Sequence, residues 1–375
     1  MILFDLSFIR HNPYAGVSKY AYRILDYVVD TEKCKDFKLL INYVSKDFIL
    51  KRYPQFSYII IGGKTQSKLP IIRTLLLSLQ YMKAVNKSDC KVVFCPWGNE
   101  ISCLKTNVFT ISTIHDLQNI IDLKGIKQRI YKKIFDMIMK NSDRIVTISD
   151  FSKKQINLYY PNANKEIANL GNSVSMNEDN LPNRLIDCRY ILYVGRFCKM
   201  KNVITLLKAF NKIKEKVNGR KLVLVGGKNK YWEAILQPYI EQNNLSDRIT
   251  VVQDCTEEEL TALYRDADLF VFPSLREGFG SPPIEAAYTE TPVITSMSDS
   301  LAEVSKGLLY TYKNPIDETE LSQKILSVLD SPPSAEQLKL VKTKFLEEYS
   351  VEIVGKRIVD YIDFFTSVPL KRDDY

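Results

Sequence analysis

The feature that most restricts what this chain can fold into is an alternation, run through twice, of short apolar stretches with longer stretches of helical period. Brief runs rich in Val, Ile, Leu and Phe, bounded by turn residues, read as strands covered on both faces. The amphipathic segments between them read as helices. In the first half, strands are expected over 1–4, 37–43, 92–95, 109–114 and 144–148, with helices over 16–27 and 127–140. In the second half the expected strands are 190–194, 221–225, 249–252, 269–272 and 293–294. Helices over 203–216, 231–243 and 257–265, and another starting at 284–288, lie between them. Strand and helix in turn imply parallel pairing, because a parallel return needs a crossover and a helix supplies it. The expected fold class is therefore α/β, with two Rossmann-like doubly wound domains facing across a cleft and ligands beyond the carboxyl ends of the strands. The segment 171–189 is rich in Asn and Pro and has no period, so the boundaries expected are 1–172, a linker over 173–189, and 190–349. A helix with one apolar face and a short tail, 350–375, packs back on the body.

Charge is distributed unevenly. Residues 1–184 carry 27 Lys and Arg against 16 Asp and Glu, whereas 185–375 carry 25 against 28. A basic first half suits an anionic partner such as a membrane surface or a phosphate-bearing lipid. Nucleic acid is set aside, since no recognition module or basic-aromatic motif accompanies the charge. Two basic amphipathic segments, 124–140 and 68–87, are either surface helices with an apolar stripe in the core or membrane-facing ones. No apolar run reaches the roughly 18 residues needed to span a bilayer, so any membrane contact is expected to be peripheral. Seven cysteines without a C-x-x-C pair, and no signal-peptide pattern, fit reduced thiols in a cytoplasmic protein. Only His11 and His115 are histidines, too few for a His-rich metal site, and no metal is expected.

Several segments carry chemistry. Pro273-Ser274-Leu275-Arg276-Glu277-Gly278-Phe279-Gly280-Ser281-Pro282-Pro283-Ile284-Glu285-Ala286 follows an expected strand. Its glycines let backbone approach a ligand, and its proline pair opens a helix whose N-terminus favours phosphate. Glu277 and Glu285 flank that turn. Tyr193-Val194-Gly195-Arg196-Phe197-Cys198-Lys199-Met200-Lys201-Asn202 likewise joins strand to helix. Gly226 and Asp254 stand at two further strand ends, Gly16 at the first strand-to-helix turn, and His115-Asp116 after the strand ending near Ile114. Asp116 either orients His115 or caps the next helix. Ser149 reads as the N-cap of a helix.

These residues resemble glycosyltransferase family 4, retaining enzymes of the GT-B fold that use nucleotide-sugar donors. The most specific element is the Glu-x7-Glu arrangement, here Glu277 and Glu285. The resemblance implies that Glu277 contacts the donor sugar and Glu285 the ribose, and that the backbone at Phe279, Gly280 and Ser281 meets sugar and diphosphate. It implies that Arg196 and Lys201 stabilise the departing diphosphate, the electrostatic task that a fixed cation pair performs. Gly226 and Asp254 bracket the nucleobase, Gly16 approaches the donor phosphate, His115 lies beside the sugar, and Asp116 is on the acceptor side. The chain departs from the pattern at Ala15 and around Asp254. The expected activity is hexosyl transfer, of mannose or a similar hexose, to a glycan acceptor on a lipid diphosphate, for a bacterial surface polysaccharide such as O-antigen or capsule. Residues 1–172 would bind acceptor and 190–349 the nucleotide sugar, which is a co-substrate; no cofactor is implied. The location expected is cytoplasmic, peripheral on the inner face of the membrane. The competing reading is a catalytically inactive GT-B subunit that positions an active partner; a dinucleotide oxidoreductase lacks its G-x-G-x-x-G at the first turn.

Overall fold

A computed structural model describes residues 1–10, 16–63, 69–163 and 165–368. The chain forms two compact units, one of residues 1–173 with the last helix, the other Val174–Ser350.

The first unit is built on β1 (Ile2–Leu6), β2 (Phe37–Asn42), β3 (Ser57–Ile61), β4 (Val92–Cys95), β5 (Phe109–Thr113), β6 (Arg144–Thr147) and β7 (Ile167–Asn169). All pair in parallel, in the order β3-β2-β1-β4-β5-β6-β7. Its helices are α1 (Gly16–Asp30), α2 (Lys46–Arg52), α3 (Pro70–Lys87), α4 (Gln118–Ile121), α5 (Gly125–Asn141) and α6 (Asp150–Tyr159). The second unit holds β8 (Tyr190–Val194), β9 (Lys221–Val225), β10 (Ile249–Val252), β11 (Leu269–Phe272), β12 (Val293–Ser296) and β13 (Tyr310–Tyr312), ordered β10-β9-β8-β11-β12-β13 and also parallel. Its helices are α7 (Val203–Ile213), α8 (Gln237–Gln242), α9 (Glu257–Arg265), α10 (Ser281–Tyr288), α11 (Ser300–Val304), α12 (Glu318–Asp330) and α13 (Ala335–Tyr349). The central strands are buried along their length, as their unbroken apolar runs require.

In each sheet the strand order reverses once, between β1 and β4 and between β8 and β11. Loops leaving the carboxyl ends at such a reversal diverge to opposite faces and leave a crevice between them. Topology alone thus sets the segments after β8 and β11 side by side, and those after β1 and β4 likewise.

The last helix, α14 (Val351–Ser367), returns to the first unit and crosses α1. Gly355 makes that crossing possible: a Cβ there would lie 2.6 Å from Tyr27 Cβ. Phe365 stacks on Phe109 at 5.0 Å, and Lys33 pairs with Asp363 at 3.0 Å. No helix among the described residues is long and apolar enough to cross a membrane.

The helix expected over 203–216 ends at Ile213 and the one expected to start at 284–288 begins at Ser281 and ends at Tyr288, but the largest difference from the sequence expectation lies in a third helix. Residues 231–243 are interrupted: a π turn, Trp232–Leu236, precedes α8. Pro238 has no N–H to give to the carbonyl four residues back, and a regular α-turn is lost just before it.

Candidate active site

In the second unit the loop after β8 is held by one residue. Asn202 takes the left-handed conformation (φ 56°, ψ 31°) between the short 3-10 turn Lys199–Lys201 and α7. Its side-chain amide donates to the carbonyls of Pro273 (3.1 Å) and Pro315 (2.6 Å), while its Oδ1 accepts from Thr205 Oγ1 at 2.8 Å. The Leu275 amide donates to the Met200 carbonyl at 2.7 Å, and Ser274 Oγ to the same oxygen at 3.1 Å. These bonds lock the loop after β8 onto the loop after β11. The consequence is an ion pair: Lys201 Nζ lies 2.5 Å from Glu277 Oε1, with side chains 19% and 9% exposed.

The rest of the β11–α10 loop is equally constrained. Ser300 Oγ donates to the carbonyls of Glu277 (2.9 Å) and Phe279 (3.1 Å), and Ser296 Oγ to that of Ser274 at 2.5 Å. Gly280, the N-cap of α10, has φ 92°, and a Cβ would meet Leu301 Cδ2 at 2.4 Å. Glycine is required there for conformation and for space alike. Ser281 opens α10, followed by Pro282 and Pro283, which need no N–H partner at those positions. Phe279 is buried with its ring edge-on to Tyr349, leaving its backbone as the part turned to the loop. Glu285, partly exposed, accepts a hydrogen bond from the buried Tyr264 hydroxyl at 3.0 Å. Burial first, then the neighbouring Glu285 charge, raises the Tyr264 pKa well above the usual phenol value, so the hydroxyl stays a donor.

Gly226, at the end of β9, has a packing reason of its own: a Cβ would stand 2.3 Å from the Gly195 carbonyl oxygen and 3.1 Å from the Phe197 ring. Arg196 has an exposed side chain, and its carbonyl accepts from Tyr193 Oη at 3.3 Å. Asp254 is exposed in the loop after the edge strand β10, two strands from the reversal. Of the donor-side residues, the structure therefore draws Lys201 and Glu277 into contact and sets Gly226 against Gly195, while Asp254 stands at the margin.

His115, Asp116 and Gly16 belong to the other unit. His115 Nε2 lies 2.8 Å from the Pro96 carbonyl, so that nitrogen carries the proton and Nδ1 is left as an acceptor. Its ring meets Tyr20 of α1 edge-on at 4.8 Å. Desolvation lowers its pKa to about 4, which makes it a neutral imidazole at pH 7. Asp116 Oδ1 accepts from the Gln118 amide at 3.0 Å in a turn just ahead of α4, whose N-cap position is Leu117, while the Pro96 carbonyl holds the His115 ring. Ser152 Oγ donates to the His115 carbonyl at 2.7 Å, and Ser149 caps α6 by accepting the Ser152 amide. Gly16 is the first residue of α1, with open space where a Cβ would stand. Tyr14 and Ala15 of that turn, and His11, lie outside the described residues. Among the described residues, no three His, Cys, Asp or Glu side chains gather as a metal site.

The sequence pattern of the family described as glycosyl transferases group 1 matches residues 181–344, the span that holds Arg196, Lys201, Gly226, Asp254, Glu277 and Glu285. Residues 181–344 are a group 1 glycosyltransferase domain. The O-antigen chain mannosyltransferase RfbU of Salmonella typhimurium is 25% identical over 300 residues, 80% of this chain and 82% of that protein. O-antigen chain mannosyltransferase B of Escherichia coli is 27% identical over 216 residues, 54% of this chain and 55% of that one. Among solved structures, sucrose-phosphate synthase of Thermosynechococcus elongatus superposes with a TM-score of 0.77 at 18% identity, covering 98% of this chain and 99% of the other. Anabaena HepE, solved in complex with UDP and glucose, gives 0.74 at 12% identity over 97% and 99%. The fold of this glycosyltransferase is GT-B, two parallel α/β units in one chain.

Three residues that hold the site of this glycosyltransferase escape sequence reasoning as contacts: Asn202, Tyr264 and Ser300. Each acts by a contact to a residue distant in the chain. Only Asn202 leaves a trace in the sequence, since Asn just ahead of a helical run is a residue type that tolerates left-handed backbone.

Proposed function

We propose that this glycosyltransferase moves a hexosyl unit, mannose or a similar hexose, from a nucleotide diphosphate sugar to a hydroxyl of a glycan acceptor borne on a lipid diphosphate. The product would be a bacterial surface polysaccharide such as O-antigen, made at the cytoplasmic face of the membrane. The observation that carries this reading is the Lys201–Glu277 pair at the strand-order reversal of the second unit. A carboxylate held against an ammonium suits a ligand that presents hydroxyls on one side and a diphosphate on the other. Glu277 would take sugar hydroxyls, Lys201 and the exposed Arg196 the leaving diphosphate, and Glu285, fixed by Tyr264, the ribose. The mannosyltransferase relatives favour mannose as the hexose.

In the step proposed, the bond from the anomeric carbon to the diphosphate oxygen breaks and a bond to the acceptor oxygen forms. The acceptor proton passes to the departing phosphate on the same face, so configuration is retained. Charge accumulates on the diphosphate as the bond opens, so fixed cations stabilise the transition state more than the ground state. No metal is assigned to this task. His115, neutral and donating to Pro96, offers Nδ1 as an acceptor to a hydroxyl and is given no proton-transfer role.

Turnover with a panel of UDP-, GDP- and dTDP-hexoses, with and without EDTA, tests the reading. Activity should survive EDTA, and Arg196→Ala with Lys201→Ala should abolish it, since deleting even one preorganised donor costs about 2.7–4 kcal/mol of transition-state stabilisation elsewhere. EDTA-sensitive activity restored by Mg²⁺, with the double variant still active, would overturn it. Donor binding without turnover on any acceptor would favour the inactive, partner-positioning subunit instead.

A further inference from the structure

Beside the reversal in the first unit lies a group of charges unconnected with the residues discussed so far. Arg10 follows β1, Glu100 follows β4, and Arg73 stands in the first turn of α3, where its amide donates to the Leu69 carbonyl at 3.0 Å. Ser78 of the same helix donates to the Glu100 carbonyl at 2.8 Å, tying α3 to the loop after β4. Arg10 Nη2 approaches Glu100 Oε1 only to 3.9 Å, at the outer limit of an ion pair. Among the described residues, Arg10 Nη2 and Arg73 Nε are both shielded from solvent and have no hydrogen-bond partner. Buried N–H donors left unpaired are costly and uncommon, and on two guanidinium groups they mark a place for an acceptor-rich anion. Burial lowers the Arg10 pKa, Glu100 opposes that, and the nearby charge of Arg73 lowers it further, which places the two guanidinium groups within reach of one another's field.

The helix that carries Arg73 supplies the second observation. Its solvent side is apolar: Ile71 is 84% exposed, and Ile72, Leu75, Leu76 and Leu79 are exposed between 44% and 57%. The spacing of i, i+3, i+4 and i+7 places these five on one stripe, opposite Leu77, Tyr81 and Val85, which enter the core. Arg73 lies on the flank between the two faces. A stripe of this kind on a soluble surface needs an apolar partner. Exposed Lys83 and Lys87 continue the same helix toward its C-terminus.

We propose that Arg10 and Arg73 bind the phosphate group of a membrane-embedded lipid whose hydrocarbon lies along Ile71, Ile72, Leu75, Leu76 and Leu79. A free phosphate would satisfy the arginines and leave the stripe in water; a neutral lipid would cover the stripe and leave the arginines unpaired. A phosphate-headed amphiphile satisfies both. The inference deepens the proposed lipid-borne acceptor and rests on it for the kind of lipid met in the cell. The binding itself needs no turnover.

The test is sedimentation of the full chain with phosphatidylcholine vesicles, plain or doped with phosphatidic acid, a lipid phosphomonoester. Wild type should bind the doped vesicles and leave plain ones unbound. Arg10→Gln with Arg73→Gln should weaken doped-vesicle binding roughly 30-fold, the effect of two cations at an anionic surface. Ile72→Gln with Leu76→Gln and Leu79→Gln, all at solvent-exposed positions, should also abolish it with the circular dichroism spectrum kept. Equal binding to both vesicles, or doped-vesicle binding by the arginine variant that matches wild type, would overturn the proposal. So would release by inorganic pyrophosphate together with full binding by the apolar variant, which would make the site one for soluble phosphate. Thermal stabilisation by nucleotide sugars, read in parallel, separates the two ideas: its loss with lipid binding intact counts against the transfer reaction alone.

Discussion

Removing one member of the Lys201–Glu277 pair should cost far more stability than removing both. The two atoms are 2.5 Å apart, and the carboxylate side is 9% exposed. Lys201→Met leaves that carboxylate buried without its ammonium, a change that typically costs about 3–5 kcal/mol; with Lys201 itself 19% exposed, the low end, about 3 kcal/mol, is expected. Glu277→Gln leaves the cation nearer to water and should cost about 1–2 kcal/mol. The double variant Lys201→Met, Glu277→Gln should lie within about 1 kcal/mol of wild type, so the two changes should be non-additive by at least about 2 kcal/mol. Urea unfolding read by Trp232 measures this. Trp232 is buried, packs on Phe197 at 5.1 Å, and is one of only two tryptophans, so a Trp97→Phe background makes it the sole reporter. Additive single effects, or a double variant no more stable than Lys201→Met alone, would refute the reasoning.

Gly226→Ala should lose about 2 kcal/mol or more and most nucleotide-sugar binding, because its Cβ would stand 2.3 Å from a backbone oxygen that cannot yield; Gly227→Ala, with nothing within 4 Å, is the silent control in the same melting and binding assays. Asp5, fully buried at the end of β1, has its pKa raised to about 6, mainly by desolvation. An acid raised in this way costs stability as pH climbs from its unfolded value of about 3.9 toward 6, so Asp5→Asn should remove a loss of roughly 3 kcal/mol that wild type suffers between pH 4 and pH 7. Denaturation midpoints of the Trp97-reported transition at those two pH values check it. Glu285→Ala should raise KM for the donor with turnover little changed, whereas Glu277→Gln should chiefly lower kcat; steady-state kinetics showing the reverse split would exchange the proposed contacts.

Much of the second unit is legible in the sequence because its strands are short, predominantly apolar and cleanly bounded. The expected 190–194, 221–225, 249–252 and 269–272 coincide with β8, β9, β10 and β11. The strands without an expectation carry little pattern of their own, whereas the helices after β12 stand outside the sequence reading. The edge strand β3 has exposed Tyr58 and Ile60, β7 and β13 are three residues long, and α12 and α13 follow β12 where no expectation was formed. Segment 68–87 displays basic and apolar residues together, yet the sequence leaves open which side meets the core. In the structure the core takes Leu77, Tyr81 and Val85, and five other apolar residues of α3 remain in solvent.

By itself the sequence determined the α/β class, the parallel pairing and the loops that carry Glu277, Glu285, Arg196 and Lys201, because apolar period and turn residues are properties of adjacent positions. Tertiary structure alone decided which groups meet. The pairing of Lys201 with Glu277 spans 76 positions and exists because Asn202 and Ser300 pin two loops that the strand order sets side by side. The return of α14 to the first unit turns on Gly355 clearing Tyr27, a contact between residues more than three hundred positions apart. Two arginines left short of acceptors, and a helix with its leucines outward, become visible only once the chain has closed around them, since burial and hydrogen-bond satisfaction are properties of the packed molecule and not of neighbours along the chain.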